Sequence, residues 1–118
     1  MIVKKRAMDV LAEDVRDGEG DVKIRWLITQ KDGAPNFAMR VFELSPNSAT
    51  PYHVHPWEHE VYVLEGKCKI VSEKGDVFCE EGDVAFVPPG IKHQFRNVGD
   101  GKLKFICVIP IIKSTPEC

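Results

Sequence analysis

The sequence predicts an all-β domain of sandwich, jelly-roll or small-barrel type. Three observations carry this expectation. From Val22 onward, short runs rich in Val, Ile, Phe and Tyr follow one another at close spacing, the pattern of strands rather than helices. Turn residues, above all Gly, Asp and Asn, separate them. No segment carries a sustained apolar stripe at the helical period of 3.6 residues; the best, residues 8–15, is too short to hold as a helix by itself.

Residues 13–21 (EDVRDGEGD) form a charged, Gly-containing loop ahead of the first run. Strands are then expected over residues 22–29, 37–45, 52–55, 59–64, 67–72, 76–80, 83–87, 93–97 and 103–109. Glu65-Gly66, Lys74-Gly75-Asp76 and Gly99-Asp100-Gly101 read as the turns of hairpins. The last strand places Leu103, Phe105, Cys107 and Ile109 on one face and Lys104, Ile106 and Val108 on the other. Both faces are apolar except at Lys104, so the strand belongs in a wall that is covered again outside. The tail Val108-Ile109-Pro110-Ile111-Ile112 fits such a cover, and a homodimer is expected to supply the rest.

At 118 residues the chain is one domain, spanning 1–118, without repeat or linker. Hydrophobic residues are 43% and charged residues 29%, a globular rather than disordered balance. The net charge of −2, from 16 basic and 18 acidic residues, argues against nucleic acid or an acidic membrane as partner. No apolar run approaches the roughly 20 residues needed to span a bilayer. The first residues lack the apolar core of a secretory signal, which points to the cytosol. There Cys68, Cys79, Cys107 and Cys118, with no CxxC among them, are expected as free thiols.

The four histidines of the chain carry its chemistry. His53, His55 and His59 fall within seven residues, and His93 follows the rigid Pro88-Pro89-Gly90. Side chains two apart on a strand share a face, so His53 and His55 project together, about 6.5–7 Å apart along the backbone. From that separation two imidazoles converge on one metal with bonds of about 2.0–2.2 Å. Pro56 interrupts the strand. In the next run His59 shares its face with Val61 and Val63, while Glu60 shares the opposite one with Tyr62 and Leu64. If the valine face is interior, His59 completes the ligand set with His93; otherwise Glu60 is the alternative ligand.

These residues resemble the two signatures of the cupin superfamily. The second, G(X)5PXG(X)2H(X)3N, is met in full by Gly82, Pro88, Gly90, His93 and Asn97 (residues 82–97). The first, G(X)5HXH(X)3,4E(X)6G over residues 47–66, is met at His53, His55 and Gly66. Two departures stand out. Asn47 replaces the opening glycine, and Asn tolerates a left-handed backbone. Counting back from Gly66 puts His59 where the signature has glutamate, although counting on from His55 also reaches Glu60. The stretch HPWEHEVYVLEG is similar to that of small single-domain cupins that hold manganese with four histidines.

The resemblance implies a double-stranded β-helix, or jelly-roll, barrel with one divalent metal per chain. Mn or Fe is expected first, with Zn, Ni or Cu compatible with imidazole ligands. It further implies an oxidoreductase of oxygenase type acting on a small-molecule substrate. The other readings are a sugar-type isomerase and a binding or sensor module. Phe95, Phe105 and Cys107 are expected near the pocket. Arg40, on an otherwise apolar face, reads first as a surface ion pair and alternatively as a pocket residue holding an anionic group. Trp57 reads as a cover of the pocket mouth or a dimer contact.

Overall fold

The computed structural model describes residues 1–111, so Ile112 and Cys118 lie outside the described residues. The fold is all-β. A six-stranded antiparallel sheet contains β1 (Glu13–Asp14), β2 (Val22–Ile28), β3 (Phe37–Leu44), β4 (His59–Glu65), β7 (Val84–Val87) and β9 (Leu103–Pro110), in the order β1-β2-β3-β9-β4-β7. A three-stranded antiparallel sheet contains β5 (Lys67–Ser72), β6 (Val77–Glu80) and β8 (His93–Asn97), in the order β6-β5-β8. The two sheets close on a common core to give a jelly-roll barrel. No helix among the described residues is long and apolar enough to cross a membrane; residues 8–15 make a 3-10 turn at Ala7–Asp9 and the short β1 instead.

Strand period and burial agree along most of the chain. On β9, Leu103, Phe105, Cys107 and Ile109 are buried and their alternates half-buried. On β4, His59, Val61 and Val63 are buried and Glu60 and Tyr62 exposed. The floor of the barrel is aromatic and aliphatic. Phe42 stacks on Phe105 at 5.1 Å, Phe105 meets Phe95 of the other sheet at 4.8 Å, and Leu44 pairs with Leu103 beneath them.

The structure departs from the expected connections in two places. Of the three expected hairpin turns, only the one at 74–76 joins paired strands, β5 and β6. Gly66 and the 99–101 turn carry the chain from one sheet to the other, because β4 pairs with β7 and β9 while β5 pairs with β6 and β8. Local turn chemistry is the same for both kinds of connection, so only the closed barrel distinguishes them. Gly66 is required there: its φ is +91°, and a Cβ would meet the Lys102 carbonyl oxygen at 2.5 Å.

The second departure is residues 52–55. They form no strand among the nine; Pro51 and Pro56 bracket the segment and each lacks a ladder donor. The segment instead lies along β8 through bridges Ala49↔Arg96 and His53↔His93. The turn leading into it contains Asn47 at φ 65°, the left-handed backbone that Asn accommodates.

Outside the barrel, Arg25 and Lys102 each reach the Glu43 carboxylate at 3.2 Å. Arg25 also donates to the carbonyls of Met8 and Val10 and so ties the N-terminal segment to β2. Burial alone would raise the Glu43 pKa, but these two cations outweigh it and hold the carboxyl below its usual range.

Candidate functional site

The site is assembled by backbone first. His53 N–H donates to the His93 carbonyl at 3.0 Å, and His93 N–H donates back to His53 at 2.9 Å. This reciprocal pair sets the two side chains on one face of the barrel mouth. Gly90 N–H donates to the His55 carbonyl at 2.8 Å, which ties the Pro-rich turn to the histidine segment. Thr50 extends the same seam: its N–H reaches the Phe95 carbonyl and its hydroxyl accepts from Phe95 N–H, both at 2.9 Å.

From residue 51 to residue 60 burial alternates without a break, through the bend at Pro56. His53, His55, Trp57 and His59 all turn inward as a result, and Glu58 and Glu60 outward. Glu60 is exposed on the far side of the sheet, beside Phe86 and Val108. The parity of β4 turns it away from the histidines.

All four imidazoles meet at this point. His59 and His93 are 4.7 Å apart between ring centres, His53 and His55 5.6 Å, His55 and His59 5.6 Å, and His55 and His93 6.4 Å. An ion with bonds of about 2.1 Å holds ring centres about 3.3 Å away, so ring pairs around it span about 4.7 to 6.6 Å. These four separations fall within that range. Yet among the described residues no three His, Cys, Asp or Glu side chains meet the full geometry of a formed metal site.

The surroundings of two rings keep them neutral. His59 is 1% exposed, and neither of its ring nitrogens has a hydrogen-bond partner. A buried polar atom left so is costly, and orphan pairs of this kind are uncommon. Burial first, then the neighbouring His93, Arg40 and His55, lower the His59 pKa to about 3, so the ring is neutral at pH 7. His93 is likewise lowered, chiefly by burial. Its Nδ1 lies 2.9 Å from the Ile91 carbonyl. A carbonyl only accepts, so Nδ1 carries the proton and Nε2 keeps a lone pair. His55 stacks on Trp57 at 4.6 Å and 11°, which orients its ring from behind. Trp57 thus supports a histidine and packs on the core rather than standing at the surface.

Below the histidines the void is lined by Arg40, Phe42, Thr50, Pro51, Phe95 and Cys107. It measures about 10 Å³, about the room one water molecule requires. Phe95 and Cys107 line it as the sequence leads one to expect. Phe105 sits one layer deeper, between Phe42 and Phe95, and serves as floor packing. Pro51 lies on the inward parity of His53 and His55, whereas Thr50 and Phe42 have no spacing that connects them to the histidines.

Arg40 is the largest correction. It is not a surface residue: it is 0% exposed inside the barrel. Its guanidinium lies over the rings of Trp26 at 5.3 Å and Phe42 at 5.1 Å, and Nη2 contacts the Cys107 sulfur at 3.0 Å. An arginine is almost never fully buried without a carboxylate partner, so this placement is unusual. Burial raises the Cys107 thiol above its ordinary range, against the pull of Arg40, which leaves the thiol neutral.

Comparison with known proteins agrees with this picture. The cupin domain family matches residues 40–109, which includes all four histidines and Arg40. An oxalate-binding protein of Thermotoga maritima is 33% identical over 103 residues, covering 84% of each chain. The polyketide synthase CurC of Streptomyces cyaneus is 32% identical over 108 residues, covering 88% of this chain and 68% of that one. The solved structure of the polyketide cyclase RemF from Streptomyces resistomycificus superposes with a TM-score of 0.86 at 37% identity, covering 95% of this chain and 81% of that one.

Proposed function

Because the chain belongs to the cupin family, we propose that His53, His55, His59 and His93 hold one divalent metal ion and that the protein is a metal-dependent oxidoreductase of oxygenase type. The observation that carries this reading is His59, fully buried with both ring nitrogens unpartnered, its ring between those of His55 and His93. Mn or Fe is the proposed physiological ion, with Zn, Ni and Cu compatible with the same donors.

When bound, the ion would supply a positive, redox-capable centre to polarise a small substrate and an oxidant. The chain's own residues do the rest. The Ile91 carbonyl fixes the His93 tautomer. Trp57 holds the His55 ring plane. Phe42 and Phe95 exclude water from below. No residue of the void other than the histidines is an acid or base of the ordinary kind; Thr50, Pro51, the two phenylalanines, Arg40 and the neutral Cys107 complete it. That composition favours redox chemistry over general-base hydrolysis, and over a sugar isomerase, which needs more polar groups.

A second reading, binding without turnover, is favoured by the oxalate-binding relative that aligns over most of both chains. Elemental analysis of untagged protein, purified without chelator, tests the site: about one ion per chain is expected. Dioxygen uptake by Mn- or Fe-loaded protein over a panel of alkenes and diketones then separates the two readings. Uptake is expected, and full metal content with a silent panel favours binding alone.

Two further assignments complete the proposal. The protein works in a reducing, cytosolic compartment, in keeping with the free thiols of Cys68, Cys79 and Cys107. A second copy covers the apolar outer face of the large sheet, where Tyr62, Val84 and Phe86 are exposed beside Ile106 and Val108.

A further inference from the structure

We propose that Arg40 is an anion-binding element of the site, so that the natural ligand is a small carboxylate whose charged end is held by the guanidinium while its remaining oxygen donors face the histidines. The histidine half of this inference rests on the metal reading above; the Arg40 half stands on the chain alone. A guanidinium stays protonated in proteins. Arg40 is fully buried, and its Nε and Nη1 have no hydrogen-bond partner.

No carboxylate among the described residues answers it. Glu43 is the one buried acid there, and it is committed to Arg25 and Lys102 outside the barrel. The remaining contact, Nη2 to the Cys107 sulfur, is to a weak acceptor. A buried cation is normally paired, and an arginine fork matches a carboxylate in shape as well as charge. Trp26 and Phe42 flank the guanidinium and hold it in place, and it borders the same void as His53, His59 and His93. Four neutral imidazoles bring no negative charge to a divalent ion, so an interior with metal and Arg40 together has three positive charges and an anionic ligand relieves them.

The void below the histidines is about 10 Å³, so the ligand enters by displacing side chains at the mouth. His53, which lines the void, is only half-buried.

The test compares malonate with its neutral isostere malonamide by calorimetry, on metal-loaded and on metal-stripped protein, for wild type and Arg40→Met. Methionine keeps a long apolar stem between Trp26 and Phe42. Wild type is expected to prefer malonate in both forms, and Arg40→Met to lose about tenfold to hundredfold in malonate affinity at unchanged metal content. If the variant keeps the preference with metal bound, the anion is held by the ion alone, and the Arg40 inference fails while the metal reading survives. If wild type takes up no metal but still prefers malonate through Arg40, the metal reading fails and this inference survives. Equal binding of malonate and malonamide by wild type overturns the inference outright. Should Arg40→Met not fold, wild-type fluorescence decides: malonate but not malonamide must change a signal that is absent in Trp26→Phe.

Discussion

Asn97 and His59 are both buried polar side chains on the inner wall, and they have opposite fates. Asn97 donates to the carbonyls of Leu44 and Gly101 and accepts from Gly99 N–H, all at 2.9 Å. Its oxygen and both amide hydrogens are used inside the chain, so it is a structural bolt that pins the 98–101 turn to β3. His59 uses neither ring nitrogen, and Arg40 beside it leaves two guanidinium nitrogens unused. The floor of the barrel is thus satisfied by its own atoms and the mouth is not. Burial alone marks neither group as functional; burial without a partner does, because folding gains nothing from stranding a donor or acceptor there.

That contrast is sharpened most by breaking the floor. Phe105→Ala should lower the unfolding free energy by about 3–5 kcal/mol, read from denaturant melts, while the metal content of the folded fraction stays the same. A loss of metal on this change would mean that floor and mouth are one unit.

Acid should act on the mouth. The folded pKa of His59, about 3, lies below the ordinary value of 6.5, so the unfolded chain takes up the proton first as pH falls. Stability of metal-stripped protein should be complete above about pH 6.5 and decline toward pH 3, by about 1.4 kcal/mol per pH unit from this one ring. In the His59→Leu variant that part of the slope should vanish.

His59→Leu should also remove an unsatisfied buried group, so the metal-stripped variant should melt no lower than wild type, with a gain of about 1 kcal/mol. Its metal content should nevertheless collapse. Glu60→Gln, by contrast, should change stability by less than about 0.5 kcal/mol and leave the metal content unaltered. Metal loss in Glu60→Gln with retention in His59→Leu would reverse the assignment of the two neighbours.

Much of this was legible from sequence because strand geometry is a strict period of two. The alternation of His59, Val61 and Val63 with Glu60 and Tyr62 set the two neighbours on opposite faces, and the burial of the valine face then turns His59 inward. The resemblance of Gly82, Pro88, Gly90, His93 and Asn97 to the second cupin signature implied that half of the barrel, and Asn47 tolerates the left-handed turn it adopts. What sequence could not decide was everything set by closure. The sheet switch at Gly66 looks like a hairpin until β5 is seen to pair with β8. The segment 52–55 looks like a strand until its isolated bridge to His93 is in view. Arg40 reads as solvated because the cost of burying an unpaired guanidinium is large and local. Only the tertiary structure shows it enclosed by Trp26, Phe42 and Cys107, residues far apart in the chain that become neighbours when β2, β3 and β9 pair.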